Sequence, residues 1–210
     1  MSIELRRDER GVATVTIANA AKLNTLNPAL MTKLVETVET LGRDPALRVV
    51  ILRGEGERAF IGGADITAMA TLDAAGARAF ITQVHRSCDV FRRLPVPVIA
   101  RIQGYTLGAG LEVAAACDFR VAAEDAVFGM PEVRIGLPSV VEAALLTGLI
   151  GWGRTRQLLL TGENIDARKA EAWGFVEQVV PAAGLDSTVE RLVQCILDSG
   201  PRAVRLQKTL

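Results

Sequence analysis

Segments with strand-like and helix-like hydrophobic patterns alternate along these 210 residues, and this alternation limits the chain to a small set of folds. Residues 12–17 alternate with a period of two and are rich in β-branched side chains, which is typical of a strand with one buried face. Residues 47–52 and 96–102 are predominantly apolar runs of strand length, each with a single arginine. Such runs indicate strands that are covered on both faces.

Helical patterns lie between these strands. Residues 28–41 carry leucine and valine at helical spacing after Asn27, and a longer helix is predicted over 73–94. Asn27 and Asp73 are the predicted N-caps of these two helices. Further strands are predicted over 119–122 and 175–180, and further helices over 166–173 and 185–197. This order predicts an α/β fold in which helices wrap the strands.

Composition narrows the class of partner. Basic and acidic residues number 24 each, so no net charge attracts nucleic acid or an anionic membrane. No apolar run is long enough to cross a bilayer, and the first eight residues lack the apolar core of a signal peptide. Three scattered cysteines without a Cys-x-x-Cys pair indicate reduced structural thiols in a cytoplasmic protein. The single histidine, His85, argues against a histidine-built metal site and is interpreted as a surface residue.

Two turns of small residues are candidates for binding a polarised oxygen. The first spans 62–64 and is followed by Asp65, a predicted helix cap; the second spans 104–111, with a helix predicted to begin at or near Gly108. The first turn of a helix presents unpaired N–H groups and the positive end of the helix dipole, and glycine lets a ligand approach that backbone closely. Two N–H donors from different turns that converge on one oxygen would form an oxyanion hole.

A phosphate-binding loop is the alternative for these glycines. The Walker pattern requires Gly-Lys followed by Ser or Thr, which neither turn has. A dinucleotide fingerprint starting at Gly108 would require a small residue where Val113 stands, and one starting at Gly151 fails in the same way at Arg156. A single glycine-rich turn is explained equally well by tight helix packing. Two such turns combined with acidic residues are more specific evidence for a functional site.

Two glutamates accompany these turns. Glu112 follows the second turn amid leucine, valine and alanine, which predicts a buried carboxyl group. Burial would raise its pKa toward neutrality, as an acid–base catalyst requires; a structural hydrogen bond to a loop is the alternative. Glu132 follows Pro131 in a stiffened turn, and a solvated loop carboxylate is its alternative. Together the carboxyl groups and the backbone donors predict proton transfer beside a polarised carbonyl group.

The clearest motifs occur in seven short segments, which are 22–26 (Lys-Leu-Asn-Thr-Leu), 61–66 (Ile-Gly-Gly-Ala-Asp-Ile), 104–112, 117–118, 128–132 (Phe-Gly-Met-Pro-Glu), 159–162 and 170–176. In this order they resemble the enoyl-CoA hydratase/isomerase (crotonase) superfamily over nearly the whole chain. The resemblance implies a crotonase-like spiral of ββα units, with an α/β core and acyl-CoA site over 1–185. It also implies the start of a C-terminal helical region over 186–210, which we expect to be truncated because family members usually continue into further helices.

The resemblance assigns roles to individual residues. It implies that Ala64 and Ala109 donate the backbone N–H groups that hold the thioester oxygen of an acyl-CoA. It implies that Glu112 and Glu132 are the catalytic pair that activates water and exchanges the proton at the α-carbon. The residues implied to contact CoA or the acyl substrate are Lys22 near the entrance, Ala64, Asp65, Ile66, Ala109, Pro131 and Ser139.

The implied activity is that of a hydro-lyase that adds water across the double bond of a 2-enoyl-CoA in fatty-acid or related acyl-CoA metabolism. Neither a metal nor a cofactor is implied, since coenzyme A is part of the substrate. The expected assembly is a homotrimer or a hexamer built as a dimer of trimers. Alternatives are enoyl-CoA isomerisation, thioester hydrolysis, and a catalytically inactive acyl-CoA-binding homologue.

Two local departures from the family pattern bear on these roles. Ala109 stands where many members have glycine, which keeps the N–H group but narrows the approach to it. Residues 139–142 replace a glycine-rich turn with Ser-Val-Val-Glu, and these larger side chains are expected to reshape the acyl or water pocket. Glu142 is interpreted as a solvated helix residue, with a third acid near the site as the alternative.

Overall fold

The computed structural model describes residues 1–70 and 72–209, so Leu210, the last residue of the predicted C-terminal region, lies outside the described residues. The strands are β1 (Ser2–Arg7), β2 (Val12–Ala18), β3 (Val49–Gly54), β4 (Ala59–Ile61), β5 (Val98–Ile102), β6 (Tyr105–Leu107), β7 (Phe119–Ala123), β8 (Val127–Gly129), β9 (Ile165–Asp166) and β10 (Gln178–Val180). The α-helices are α1 (Pro28–Gly42), α2 (Ile66–Met69), α3 (Ala74–Arg93), α4 (Ala109–Ala116), α5 (Ala144–Ile150), α6 (Trp152–Thr161), α7 (Ala167–Trp173), α8 (Leu185–Leu197) and α9 (Pro201–Lys208).

The predicted α/β order and the predicted helix caps are confirmed. Asn27 accepts a hydrogen bond from the Leu30 N–H at 2.8 Å, and Asp73 accepts one from the Gly76 N–H at 2.7 Å. The strand predicted over 175–180 is too long, because it begins only at Gln178. The N–H groups of residues 175 and 176 bond to the Ala170 carbonyl at the end of α7 and are unavailable to a sheet.

Strands alternate between two sheets. The larger sheet has the order β1-β2-β3-β5-β7-β10 and the smaller one the order β4-β6-β8-β9. Strands β3, β5 and β7 of the larger sheet are each followed by a strand of the smaller sheet. Helices return the chain to the larger sheet directly after β4 and β6, and after β8 by way of β9 and α7. The predicted spiral of ββα units is therefore confirmed.

The larger sheet is covered on both faces, as its apolar runs predicted. In β5, Val98 and Ala100 face the main core, whereas Ile99 faces the opposite side and packs with the apolar face of α8. Helix α8 buries Leu185, Val189, Val193 and Ile196 there. Among the described residues, no helix is both long enough and apolar enough to span a bilayer.

The smaller sheet determines where three functional loops meet. Strands β4, β6 and β8 are parallel neighbours, so their carboxyl ends lie at one edge of the sheet. Strand β4 ends at Ile61 before the first small-residue turn, β6 ends at Leu107 before Gly108, and β8 ends at Gly129 shortly before Glu132. Ligands of open α/β sheets bind outside such carboxyl ends.

Lys208 secures α9 to the core, and we expect its replacement to lower stability. Its buried Nζ donates to the carbonyl groups of Phe91 and Val96 at 3.0 and 2.9 Å and to Asp118 Oδ2 at 2.7 Å. Lys208→Met would leave these acceptors without their donor, at a cost of about 2–3 kcal/mol. Chemical denaturation checks this, with the exposed Lys33→Met as control; equal free energies of unfolding for both variants would contradict it.

Candidate active site

The three loops line one cavity of about 440 Å³ at the edge of the smaller sheet. Lys22 and Asp65 do not line the cavity. They form an ion pair with 3.6 Å between Lys22 Nζ and Asp65 Oδ2, and Asp65 directly follows the cavity-lining Ala64 in the sequence. The cavity-lining residues that the sequence predicted as site residues are Ala64, Ile66, Ala109, Glu112, Pro131, Glu132 and Ser139.

The turn before α2 is fixed by a parallel bridge between Leu26 and Ala64. The Leu26 N–H donates to the Gly63 carbonyl and the Asp65 N–H donates to the Leu26 carbonyl, both at 2.9 Å. Ala64 is the residue between these two bonded neighbours, and in a parallel bridge such a residue directs its own N–H away from the partner strand. Within residues 1–70 and 72–209, no acceptor is found for the Ala64 N–H, so this donor is available to a ligand.

The start of α4 supplies the second donor. Ala109 is the first residue of the helix, where backbone N–H groups have no intrahelical partner. Gly110 brings this end of the helix onto β4, because a Cβ at position 110 would lie 2.1 Å from the Ile61 carbonyl oxygen. The helix therefore begins beside the turn that follows Ile61, and the Ala109 and Ala64 donors both border the cavity.

Glu132 lies against the same end of α4. Gly108 has a φ of 52°, and a Cβ there would stand 2.2 Å from Glu132 Oε1. Glycine is thus needed at 108 for two reasons: it adopts the positive φ of the turn, and it leaves room for the Glu132 carboxyl group. Ser139 Oγ donates to Glu132 Oε2 at 3.1 Å. Burial raises the Glu132 pKa above its ordinary value, and the Ser139 hydrogen bond partly opposes that effect.

Glu112 is 4% exposed, so the predicted burial is confirmed. Its Oε1 accepts the Glu142 backbone N–H at 2.8 Å. Burial raises the pKa of Glu112 to about 7; that N–H lowers it, and the charge of Glu132 raises it further. A neutral or ionised Glu112 is therefore accessible near pH 7, as a proton-transferring residue requires. Two interacting carboxyl groups on one cavity can hold a single proton between them.

The interpretation of Glu142 as a solvated helix residue is wrong. It lies before α5 and is 7% exposed, and its N–H contacts Glu112. The alternative, a third acid near the site, is correct. His85 is half-exposed, yet its Nδ1 contacts the Glu142 carboxylate, so it is more than a solvated surface group. The contact joins residues 57 positions apart, which no local pattern could predict.

The apolar wall of the cavity went unrecognised in the sequence. The helical spacing of Phe80 and Val84 predicts only that α3 has a buried face, and a buried face and a pocket wall have the same pattern. The cavity-lining residues that were not predicted include Met69, Phe80, Ile81, Val84, Arg134, Ile135 and Leu137. Of the 139–142 segment, Ser139, Val140 and Val141 line the cavity, as expected, whereas Glu142 does not.

Ionisation of Glu112 should make the fold less stable as the pH rises. Its folded pKa of about 7 exceeds the ordinary 4.5. The protonated carboxyl group therefore makes its full contribution to the free energy of unfolding below pH 4.5, and this contribution is lost as the pH rises through 7. Glu112→Gln does not titrate. We therefore expect this variant to gain on the order of 3 kcal/mol relative to wild type between pH 5 and pH 8.

Denaturant unfolding of both proteins at the two pH values measures this difference. The exposed Glu163→Gln serves as control and should follow the wild type at both. A stability gap between Glu112→Gln and wild type that is the same at pH 5 and pH 8 would contradict the raised pKa.

Comparisons with known proteins agree with this geometry. The family model described as Enoyl-CoA hydratase/isomerase matches residues 7–210. A crotonyl-CoA hydratase of Syntrophomonas wolfei is 36% identical over 208 residues, covering 99% of this chain and 80% of the relative. A short-chain-enoyl-CoA hydratase of Clostridium acetobutylicum is 37% identical over 95% of this chain and 77% of its own length. The crystal structure of an enoyl-CoA hydratase from Bacillus anthracis superposes with a TM-score of 0.95 at 35% identity, covering 99% of this chain and 81% of that one.

Proposed function

The chain belongs to the enoyl-CoA hydratase/isomerase family, and we propose that it is an enzyme that adds water across the double bond of a 2-enoyl-CoA thioester. One observation carries the proposal: Glu112 and Glu132 share a cavity with two backbone donors, from Ala64 and Ala109. Two acid–base groups beside an oxyanion-binding pair are what hydration of a conjugated thioester needs.

The backbone donors act on the thioester carbonyl group. When water adds to the β-carbon, negative charge builds on the carbonyl oxygen. The Ala64 and Ala109 N–H groups would donate to that oxygen, and the N-terminal end of α4 would add the positive end of its dipole. These groups are held before the substrate binds, by the Leu26 bridge and by the contact of Gly110 with β4, so little reorganisation is required.

The two glutamates move the protons. One ionised carboxylate removes a proton from water as its oxygen bonds to the β-carbon, and a protonated carboxyl group delivers a proton to the α-carbon. The sum is addition of one water molecule, with no change in oxidation state. The proposed reaction therefore needs no metal or cofactor, because coenzyme A belongs to the substrate. The raised pKa values of Glu112 and Glu132 are consistent with a pair that shares a proton.

The substrate would lie across the cavity from its mouth to its apolar wall. The acyl chain would contact the side chains from α3 and the 139–142 segment, including Phe80 and Val141. Ile66 is 58% exposed and lines the cavity, and the Lys22–Asp65 ion pair lies next to it. These three residues are proposed to contact CoA, with Lys22 as the cation at the entrance.

Assembly, location and metabolic role stay predictions from the family and the sequence. We predict a homotrimer or a dimer of trimers, a cytoplasmic location and a place in fatty-acid or related acyl-CoA metabolism. Cys88 and Cys117 are buried free thiols and Cys195 is an exposed one, which is consistent with a reducing compartment. The division into a core over 1–185 and a C-terminal region over 186–210 also stays a prediction.

A substrate panel tests the proposed activity. Purified protein should hydrate crotonyl-CoA to 3-hydroxybutyryl-CoA, followed by loss of the enoyl thioester absorbance and by mass. Parallel assays measure isomerisation of a 3-enoyl-CoA and release of free CoA. Dominant isomerisation or hydrolysis would replace hydration with one of the alternatives, and binding of acyl-CoA without any turnover would identify an inactive homologue.

A further inference from the structure

The buried carboxyl group of Glu142 has no role in the proposed reaction, yet its partners are well defined. Its Oε1 contacts His85 Nδ1, and its Oε2 lies 4.0 Å from Arg92 Nη1, both on α3. A carboxylate can only accept hydrogen bonds, so an ionised Glu142 would accept from an Nδ1–H of His85. Only 9% of the Glu142 side chain is exposed, whereas the His85 ring is half-exposed, so the contact joins a buried carboxylate to an imidazole at the surface.

The same segment holds both proposed catalytic carboxyl groups. The Glu142 N–H donates to Glu112 Oε1 at 2.8 Å, and Ser139 Oγ donates to Glu132 Oε2 at 3.1 Å. Residues 139–142 are neither helix nor strand, so they have no regular backbone ladder to fix them. Contacts with neighbouring elements must therefore fix the orientation of these two donors.

We propose that His85 and Glu142 form a positioning pair that ties the 139–142 segment to α3 and thereby orients Glu112 and Glu132. Helix α3 is a suitable anchor, because it runs for 20 residues and buries Phe80, Val84 and Phe91 in the core. Its Phe80 and Val84 also line the cavity. The pair thus connects the helix that forms the apolar wall to the segment that contacts Glu112 and Glu132. Its kinetic consequences rest on the proposed hydration activity, whereas its effect on the Glu112 carboxyl group does not.

The kinetic test uses His85→Ala, Glu142→Ala, the double variant and Glu142→Gln. We expect each alanine variant to lower kcat by about 10- to 100-fold, since loss of a supporting contact misplaces catalytic groups, with KM changed less than about twofold. The double variant should be no slower than the slower single variant, because both remove the same tie. The side-chain amide oxygen introduced by Glu142→Gln can still accept from His85, so this variant should retain most of the activity.

Arg86→Ala is the matched control, since Arg86 is an exposed neighbour of His85 on α3 and lies outside the cavity. It should keep the wild-type kcat, and thermal unfolding of every variant separates misplacement from unfolding. Wild-type kcat in either alanine variant would overturn the proposal. So would additive losses in the double variant, or equal impairment by Glu142→Gln and Glu142→Ala.

A second measurement does not depend on activity. In ¹³C-glutamate-labelled protein, the Glu112 carboxyl resonance is assigned with Glu112→Gln and titrated by NMR. In His85→Ala the Glu142 N–H should no longer be held on Glu112, so the titration should move to higher pH, whereas Arg86→Ala should leave it unchanged. An unmoved titration in His85→Ala would overturn the positioning role. Absence of hydration by wild-type protein would instead refute the proposed function.

Discussion

Glu112→Gln is expected to lower kcat for crotonyl-CoA hydration by about 10²- to 10⁴-fold, the usual contribution of a well-placed acid or base. The amide can still accept the Glu142 N–H, so the local backbone should keep its position while proton transfer is lost. Binding of the saturated butyryl-CoA, measured by calorimetry, should change little. The substitution removes an interaction needed in the transition state rather than one needed for binding.

Two comparisons make this result specific. Glu132→Gln should show a loss of the same order, because the two carboxyl groups are proposed to act as a pair. Glu163→Gln makes the same chemical change at an exposed position away from the cavity and should leave kcat unchanged. Turnover by Glu112→Gln or Glu132→Gln at the wild-type rate would remove that residue from the catalytic pair. The stability gain expected for Glu112→Gln at pH 8 means that lost activity would not result from unfolding.

Ala109→Pro is expected to lower kcat by about 10²- to 10³-fold, the usual effect of removing one oxyanion-hole donor. Proline has no N–H, and its backbone is tolerated at the first position of a helix, which Ala109 occupies in α4. The substitution therefore deletes the proposed donor at a site where the helix does not need it. The loss corresponds to about 3–4 kcal/mol of transition-state stabilisation.

Ala109→Gly is the matched control, because it keeps the N–H and removes only the methyl group. It should retain activity within about an order of magnitude, and a more open approach to the N–H should not impair the oxyanion hole. Circular dichroism and thermal unfolding check that α4 still forms in the proline variant. Equal kcat values for the proline and glycine variants would show that the Ala109 N–H does not bind the thioester oxygen.

Some errors of the sequence-based interpretation have a common physical origin. The helix caps at Asn27 and Asp73 were predictable because a cap depends on residues two or three positions away. Glu142 was interpreted as solvated because its neighbours in sequence give no sign of α3 packing over it. The contact that buries it joins positions 85 and 142, and only the assembled fold brings them together.

The sequence by itself determined the alternation of strands and helices, the two small-residue turns, and the two glutamates, one of which follows the second of these turns and the other the turn at Pro131. These features depend on local spacing, and the family motifs preserve that spacing along nearly the whole chain. The tertiary structure decided that β4, β6 and β8 end at one edge, so that the turn at Ala64, the start of α4 and the Glu132 turn share a cavity. It also decided which carboxyl groups are buried, because burial depends on residues that are distant in the sequence and adjacent only in the fold.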